Sequence, residues 1–191
     1  MILVTGGCRS GKSAFAEELV MQDGKGPWLY IATAQVTDPE MEERVRKHSE
    51  RRGDAWETYE GFKGLGEVLS GKEMAGFKGI LLDSVTTMVT NLLFDFIGDV
   101  DWEDFNFEQV DYGKALDNIM KAFEALCRGA AGLPLVMVTD EIGLGVVPET
   151  CLGRNFRDIL GTVNQYLAAV SDSVYMVISG IPVQIKGERG K

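Results

Sequence analysis

Met1-Ile2-Leu3-Val4-Thr5-Gly6-Gly7-Cys8-Arg9-Ser10-Gly11-Lys12-Ser13 opens the chain, and its reading decides the fold. Residues 6–13 satisfy G-x-x-x-x-G-K-[ST], the pattern of a phosphate-binding loop. The pattern needs context, and the context fits. An apolar run of strand length precedes the loop, and Ala14, Phe15 and Leu19 give a helix starting near Lys12 its buried side. Glycines let such a loop turn its backbone N–H groups inward around phosphate oxygens, while the helix N-terminus adds a positive partial charge. Gly7, Cys8, Arg9, Ser10, Gly11, Lys12 and Ser13 are therefore candidate nucleotide contacts. Lys12 would bridge the outer phosphates, the Ser13 hydroxyl would ligate Mg²⁺, and Arg9 adds a cation. The competing reading is a Gly-rich strand-to-helix turn that binds nothing.

Outward from the loop, strand-length apolar runs alternate with helical segments. The runs are 1–5, 28–34, 79–83, 133–139 and 174–179, nearly continuous in Val, Ile, Leu and Met, as strands covered on both faces are. Helical periodicity marks 13–21, 39–52, 84–97, 109–128 and, most clearly, 152–170. This alternation predicts an α/β fold with a mostly parallel sheet, right-handed crossovers and flanking helices. Gly98–Phe107 is acidic and aromatic and reads as a loop or lid-like excursion. Ile181–Lys186 reads as a short antiparallel edge strand after a turn at Gly180. With no repeat, low-complexity tract or linker, residues 1–191 are expected to form a single domain.

The 191 residues carry 19 basic and 29 acidic side chains, a net charge of −10 and a pI near 4.6. That balance argues against nucleic acid as a partner. It also means that any phosphate must be held by a local site against the global field. No run reaches the length of a membrane span, and the N-terminal residues lack a basic leader, so neither a span nor a signal peptide is expected. Cys8, Cys127 and Cys151 are too few and scattered for a disulfide framework or zinc site. The default reading is a cytoplasmic enzyme.

A bound Mg²⁺ calls for an acidic partner to Ser13. Asp83 ends the apolar run 79–83 and suits the role; alternatively it caps the helix that follows, as Ser84 could equally do. Asp140-Glu141 follows another strand, at the edge where ligands of open α/β sheets collect. The single histidine, His48, lies among five of the chain's 19 Lys/Arg residues, between positions 44 and 52. Imidazole can attack phosphorus to form a covalent intermediate, and the neighbouring cations could hold phosphate. Equally, the segment could be a solvated helix face balanced by Glu40, Glu42, Glu43 and Glu50.

Several blocks together resemble one family end to end, the bifunctional adenosylcobinamide kinase / adenosylcobinamide-phosphate guanylyltransferases of cobalamin assembly. They are Ile2–Ser13, Tyr30–Gln35, Asp38-x-Glu40-Met41-x-x-Arg44-x-x-x-His48, Asp83–Leu93, Glu141–Glu149, Phe156–Asp158, Asn164-Gln165 and Ser179–Gly187. The resemblance implies two reactions. ATP or GTP phosphorylates the hydroxyl of adenosylcobinamide; GTP then transfers GMP to that phosphate, giving adenosylcobinamide-GDP. It further implies that His48 carries GMP covalently. Nucleotide contacts would come from the loop, from Thr33, Ala34 and Gln35, from Arg51, Arg52, Gly53 and Asp54, and from Glu60 and Asp83. A RecA-like P-loop fold and a homotrimer are also implied. Asp140 stands where the family usually carries Asn. Two other readings stay open from the residues alone, a single-activity small-molecule P-loop kinase and a non-enzymatic RecA-like nucleotide-binding module.

Overall fold

The structure is a computed structural model describing residues 1–22, 24–34 and 55–187. Its first elements in chain order are β1 (Ile2–Gly6), α1 (Lys12–Met21), β2 (Trp28–Ala32), β3 (Trp56–Glu60), α2 (Leu65–Leu69), β4 (Gly79–Asp83) and α3 (Val85–Ile97). Then come α4 (Tyr112–Gly129), β5 (Leu135–Asp140), α5 (Cys151–Val170), β6 (Ser173–Ile178) and β7 (Ile181–Lys186), with single 3₁₀ turns at Lys72–Gly76 and Phe107–Gln109. The helix expected over 39–52 lies outside the described residues. The seven strands form one sheet in the order β3-β2-β4-β5-β1-β6-β7. All neighbours are parallel except the β6–β7 pair, so the expected α/β class is the observed one. The expected P-loop arrangement of strand, loop and helix is present, with the loop strand β1 deep in the sheet and β5 between it and β4.

Alternation of side chains along each strand divides the core between two faces. On one face Leu3, Ile31, Ile80, Leu82 and Met137 pack against α2, α3, α4 and α5 through Leu65, Met88, Phe123 and Leu160. On the other, Val4, Tyr30, Leu81, Val136 and Val138 pack against Ala16 and Val20 of α1. Both faces of β4 and β5 are buried, which is why their sequences read as continuous apolar runs.

Two elements were not expected. β3 is an edge strand, Trp-Glu-Thr-Tyr-Glu, in which three of five residues are exposed, so it has no apolar run to betray it. α2 is one short turn of helix held by buried Leu65 and Leu69. The predicted helix over 109–128 begins three residues later, because Gln109 belongs to a 3₁₀ turn and Asp111 caps α4 by accepting from Lys114 N–H. At the far edge, Ser179 and Gly180, with φ of 51° and 82°, make the two-residue turn into β7. Among the described residues no helix is long and apolar enough to cross a membrane.

Candidate nucleotide-binding site

Parallel strands deliver their carboxyl ends to one edge of the sheet, and the candidate residues converge there. β1 ends at Gly6, β4 at Asp83 and β5 at Asp140, with Gly6 in register with Asp140. The loop that leaves β1 is tight. Ser10 N–H donates to the Gly7 carbonyl at 3.2 Å, and Arg9 and Gly11 adopt φ of 55° and 95°. Gly11 begins α1 without any side-chain cap, so the first N–H groups of the helix keep no side-chain acceptor. A side chain at Gly6 would collide with the Val177 carbonyl and with Ser10 Oγ, which lets the loop close against β6. The β6–β7 turn completes the wall, Gly180 N–H donating to the Ser10 carbonyl at 2.8 Å.

Of the loop residues, Gly7, Cys8, Arg9 and Gly11 are exposed, Lys12 and Ser13 are part-buried and Ser10 is buried. Ser10 Oγ has no hydrogen-bond partner among the described residues. Lys12 Nζ donates to the Gly7 carbonyl at 3.1 Å and lies 2.6 Å from Asp140 Oδ1. Asp140 is itself held at both backbone atoms. Its N–H donates to Thr86 Oγ1 at 2.8 Å, and its carbonyl accepts from Asn164 Nδ2 at 3.0 Å. Asn164 Oδ1 in turn accepts the Thr139 hydroxyl at 2.7 Å.

Asp83 occupies the end of β4 and does not cap α3. That task falls to Ser84, whose hydroxyl accepts from Thr87 N–H at 3.2 Å. The Asp83 carboxylate instead accepts from Tyr30 Oη at 3.1 Å. Thr33 ties the β2 end to β4. Its hydroxyl donates to the Ser84 carbonyl at 2.7 Å and accepts from Ser84 N–H at 2.9 Å, while its own carbonyl accepts from Asn91 Nδ2. Ala34 is part-buried beside it, and Glu60, exposed, ends β3 in register with Ala32. The structure thus gathers the loop, Thr33, Ala34, Glu60 and Asp83 along one sheet edge. Gln35, His48, Arg51, Arg52, Gly53 and Asp54 lie outside the described residues.

Sequence reasoning quoted Tyr30, Thr86 and Asn164 but gave them no task. Their signal was local: each carries a hydrogen-bonding group, and only folding shows that Tyr30 serves the Asp83 carboxylate while Thr86 and Asn164 serve the Asp140 backbone. Cys127 has no place in the site; burial pushes its thiol up, which keeps it a packed, unreactive group.

The family model for "cobinamide kinase / cobinamide phosphate guanyltransferase" matches residues 2–185. The chain belongs to this family. It is 44% identical over 186 residues to the "bifunctional adenosylcobalamin biosynthesis protein CobU" of Escherichia coli (strain K12), spanning 97% of this chain and 99% of that protein. It is 45% identical over 187 residues to the protein of the same name from Salmonella typhimurium (strain LT2), again spanning 97% and 99%. Among solved structures, the flagellar accessory protein FlaH from Methanocaldococcus jannaschii aligns at 15% identity and a TM-score of 0.48, over 97% of this chain and 77% of its own. Both family activities transfer phosphorus-containing groups from a nucleotide, the chemistry for which a phosphate loop with a lysine at its end is built.

Proposed function

We propose that this chain phosphorylates adenosylcobinamide with ATP or GTP and then transfers GMP from GTP to adenosylcobinamide phosphate, giving adenosylcobinamide-GDP. The observation that carries this reading is the family match across residues 2–185, on a fold whose phosphate loop presents Lys12 at the carboxyl edge of the sheet. In the first reaction the acceptor hydroxyl oxygen bonds to the γ-phosphorus and gives up its proton to water, the β–γ bridge breaks and the nucleoside diphosphate leaves. Lys12 and the loop N–H groups of Gly7–Ser13 stabilise the charge on the moving phosphoryl group. Thr33, Ala34, Gln35, Arg51, Arg52, Gly53, Asp54 and Glu60 are assigned the remaining nucleotide contacts.

In the second reaction the neutral imidazole of His48 attacks the α-phosphorus of GTP and pyrophosphate leaves. An oxygen of adenosylcobinamide phosphate then displaces His48 from phosphorus, which regenerates the free imidazole. Because the imidazole must be neutral to attack, guanylylation falls as pH drops through its pKa.

Ser13 and Asp83 are the assigned holders of Mg²⁺. They offer the hard oxygen donors that the ion prefers, and Asp83 is not spent as a helix cap. When bound, Mg²⁺ would neutralise triphosphate charge.

The reading extends to a single domain over 1–191 acting in the cytoplasm as a homotrimer. Supporting an assembly, the outer hairpin exposes Ile178, Ile181, Val183 and Ile185, an apolar surface that a second copy would cover.

The test is to incubate wild type and His48→Asn with GTP labelled at the α-phosphate. Wild type is expected to acquire an acid-labile label and the variant none, with kinase activity partly kept. Persistent labelling of His48→Asn would remove His48 from the mechanism.

A further inference from the structure

Asp140 closes β5, the strand between the one that delivers the phosphate loop and the one that ends in Asp83. Its backbone is anchored on both sides, by Thr86 and by Asn164, so its carboxylate is presented from a stiff position. That carboxylate lies 2.6 Å from Lys12 Nζ, with the two side chains only 12% and 29% exposed. At such exposure the pair is less screened than a surface ion pair. In this arrangement the charge that phosphates require is already neutralised. A free triphosphate must compete with Asp140 for Lys12 and meets repulsion from Asp83 on the neighbouring β4 as well, within a chain of net charge −10. A triphosphate that brings a divalent cation carries less negative charge and offers the two carboxylates a counter-ion.

We propose that Asp140 is a specificity-determining residue that makes the site take the cation complex of a nucleoside triphosphate in preference to the free triphosphate, by holding Lys12 until a charge-balanced ligand displaces it. The inference rests on the nucleotide-site reading above, but not on the identity of the acceptor. Discrimination of this kind comes from a repulsive element against the wrong ligand as much as from attraction to the right one.

The experiment is equilibrium binding of ATP and of GTP to the full chain, once in excess Mg²⁺ and once in excess EDTA, for wild type, Asp140→Asn and Asp140→Glu. The readout is the ratio of the two dissociation constants. Asp140→Asn keeps the shape of the side chain and removes its charge. It is expected to tighten free-triphosphate binding about tenfold or more while changing the Mg²⁺ arm by less than about threefold, so that the ratio collapses. Asp140→Glu, which keeps the charge, is expected to retain most of the ratio. An unchanged ratio in Asp140→Asn, including one in which both arms weaken together, overturns the proposal, because a purely structural role predicts that pattern. Should Asp140→Asn not yield folded protein, Asp140→Ser is read in the same way. Wild type that binds neither nucleotide in Mg²⁺ would instead overturn the functional reading itself, and the inference with it.

Discussion

Two carboxylates end adjacent parallel strands, Asp83 on β4 and Asp140 on β5, and the fold holds them in opposite ways. Asp140 is paired with the loop lysine and braced through its backbone by Thr86 and Asn164. The Asp83 carboxylate accepts from a neutral donor, the Tyr30 hydroxyl, while Ser84 takes over the capping of α3. One acid is thus engaged with the cation to which the proposed function gives the phosphates, and the other is not spent as a helix cap. Position at a strand end makes a carboxylate a candidate, but its partners decide its task.

Breaking the lysine side of this comparison has the largest expected effect. Lys12→Met removes the charge assigned to the outer phosphates and the partner of Asp140, and kinase kcat/KM is expected to fall by about 10³-fold. Asp83→Asn is expected to cost about 10²-fold and to be partly relieved by raised Mg²⁺, with thermal stability near wild type because the amide oxygen still accepts from Tyr30. Steady-state kinetics across a Mg²⁺ series, read beside thermal unfolding, checks both. An Asp83→Asn enzyme of full activity would end the comparison.

Smaller effects sharpen it. Asn164→Ala strands the Asp140 carbonyl and the Thr139 hydroxyl together, an expected loss of about 1–3 kcal/mol in denaturant unfolding. Tyr30→Phe removes one bond to a part-buried carboxylate and is expected to cost about 1 kcal/mol or less. Equal losses at the two positions would mean that the β5 end is no more firmly braced than the β4 end.

Much of this was legible in the order of residues. The phosphate loop is a contiguous motif whose geometry follows from glycine and helix-terminus physics, and the strand and helix on either side follow from their apolar spacing. The strands β2, β4 and β5 were legible for the same reason, because strands covered on both faces need unbroken apolar runs; β6, though only part-buried, carries an apolar run as well. β3 was not, since an edge strand with Glu57, Thr58 and Glu60 exposed satisfies its backbone on one side only and needs no such run. The role of Asp83 was readable only as a pair of alternatives, and the contact of Ser84 with Thr87 N–H removes the capping one. The Lys12–Asp140 pair was hidden altogether. It depends on β5 lying next to β1, a crossover that neither local propensity nor spacing encodes. The brace that the Thr33 hydroxyl gives Ser84 was hidden likewise, since it joins the ends of β2 and β4.

The most direct test of the central claim is the mass of the products formed when the full chain is given adenosylcobinamide with ATP and GTP together. The account predicts a first product heavier by one phosphoryl group, followed by a second in which GMP is joined to that phosphate, with pyrophosphate released. Unmodified adenosylcobinamide, or a phosphorylated product that never acquires GMP, would contradict it.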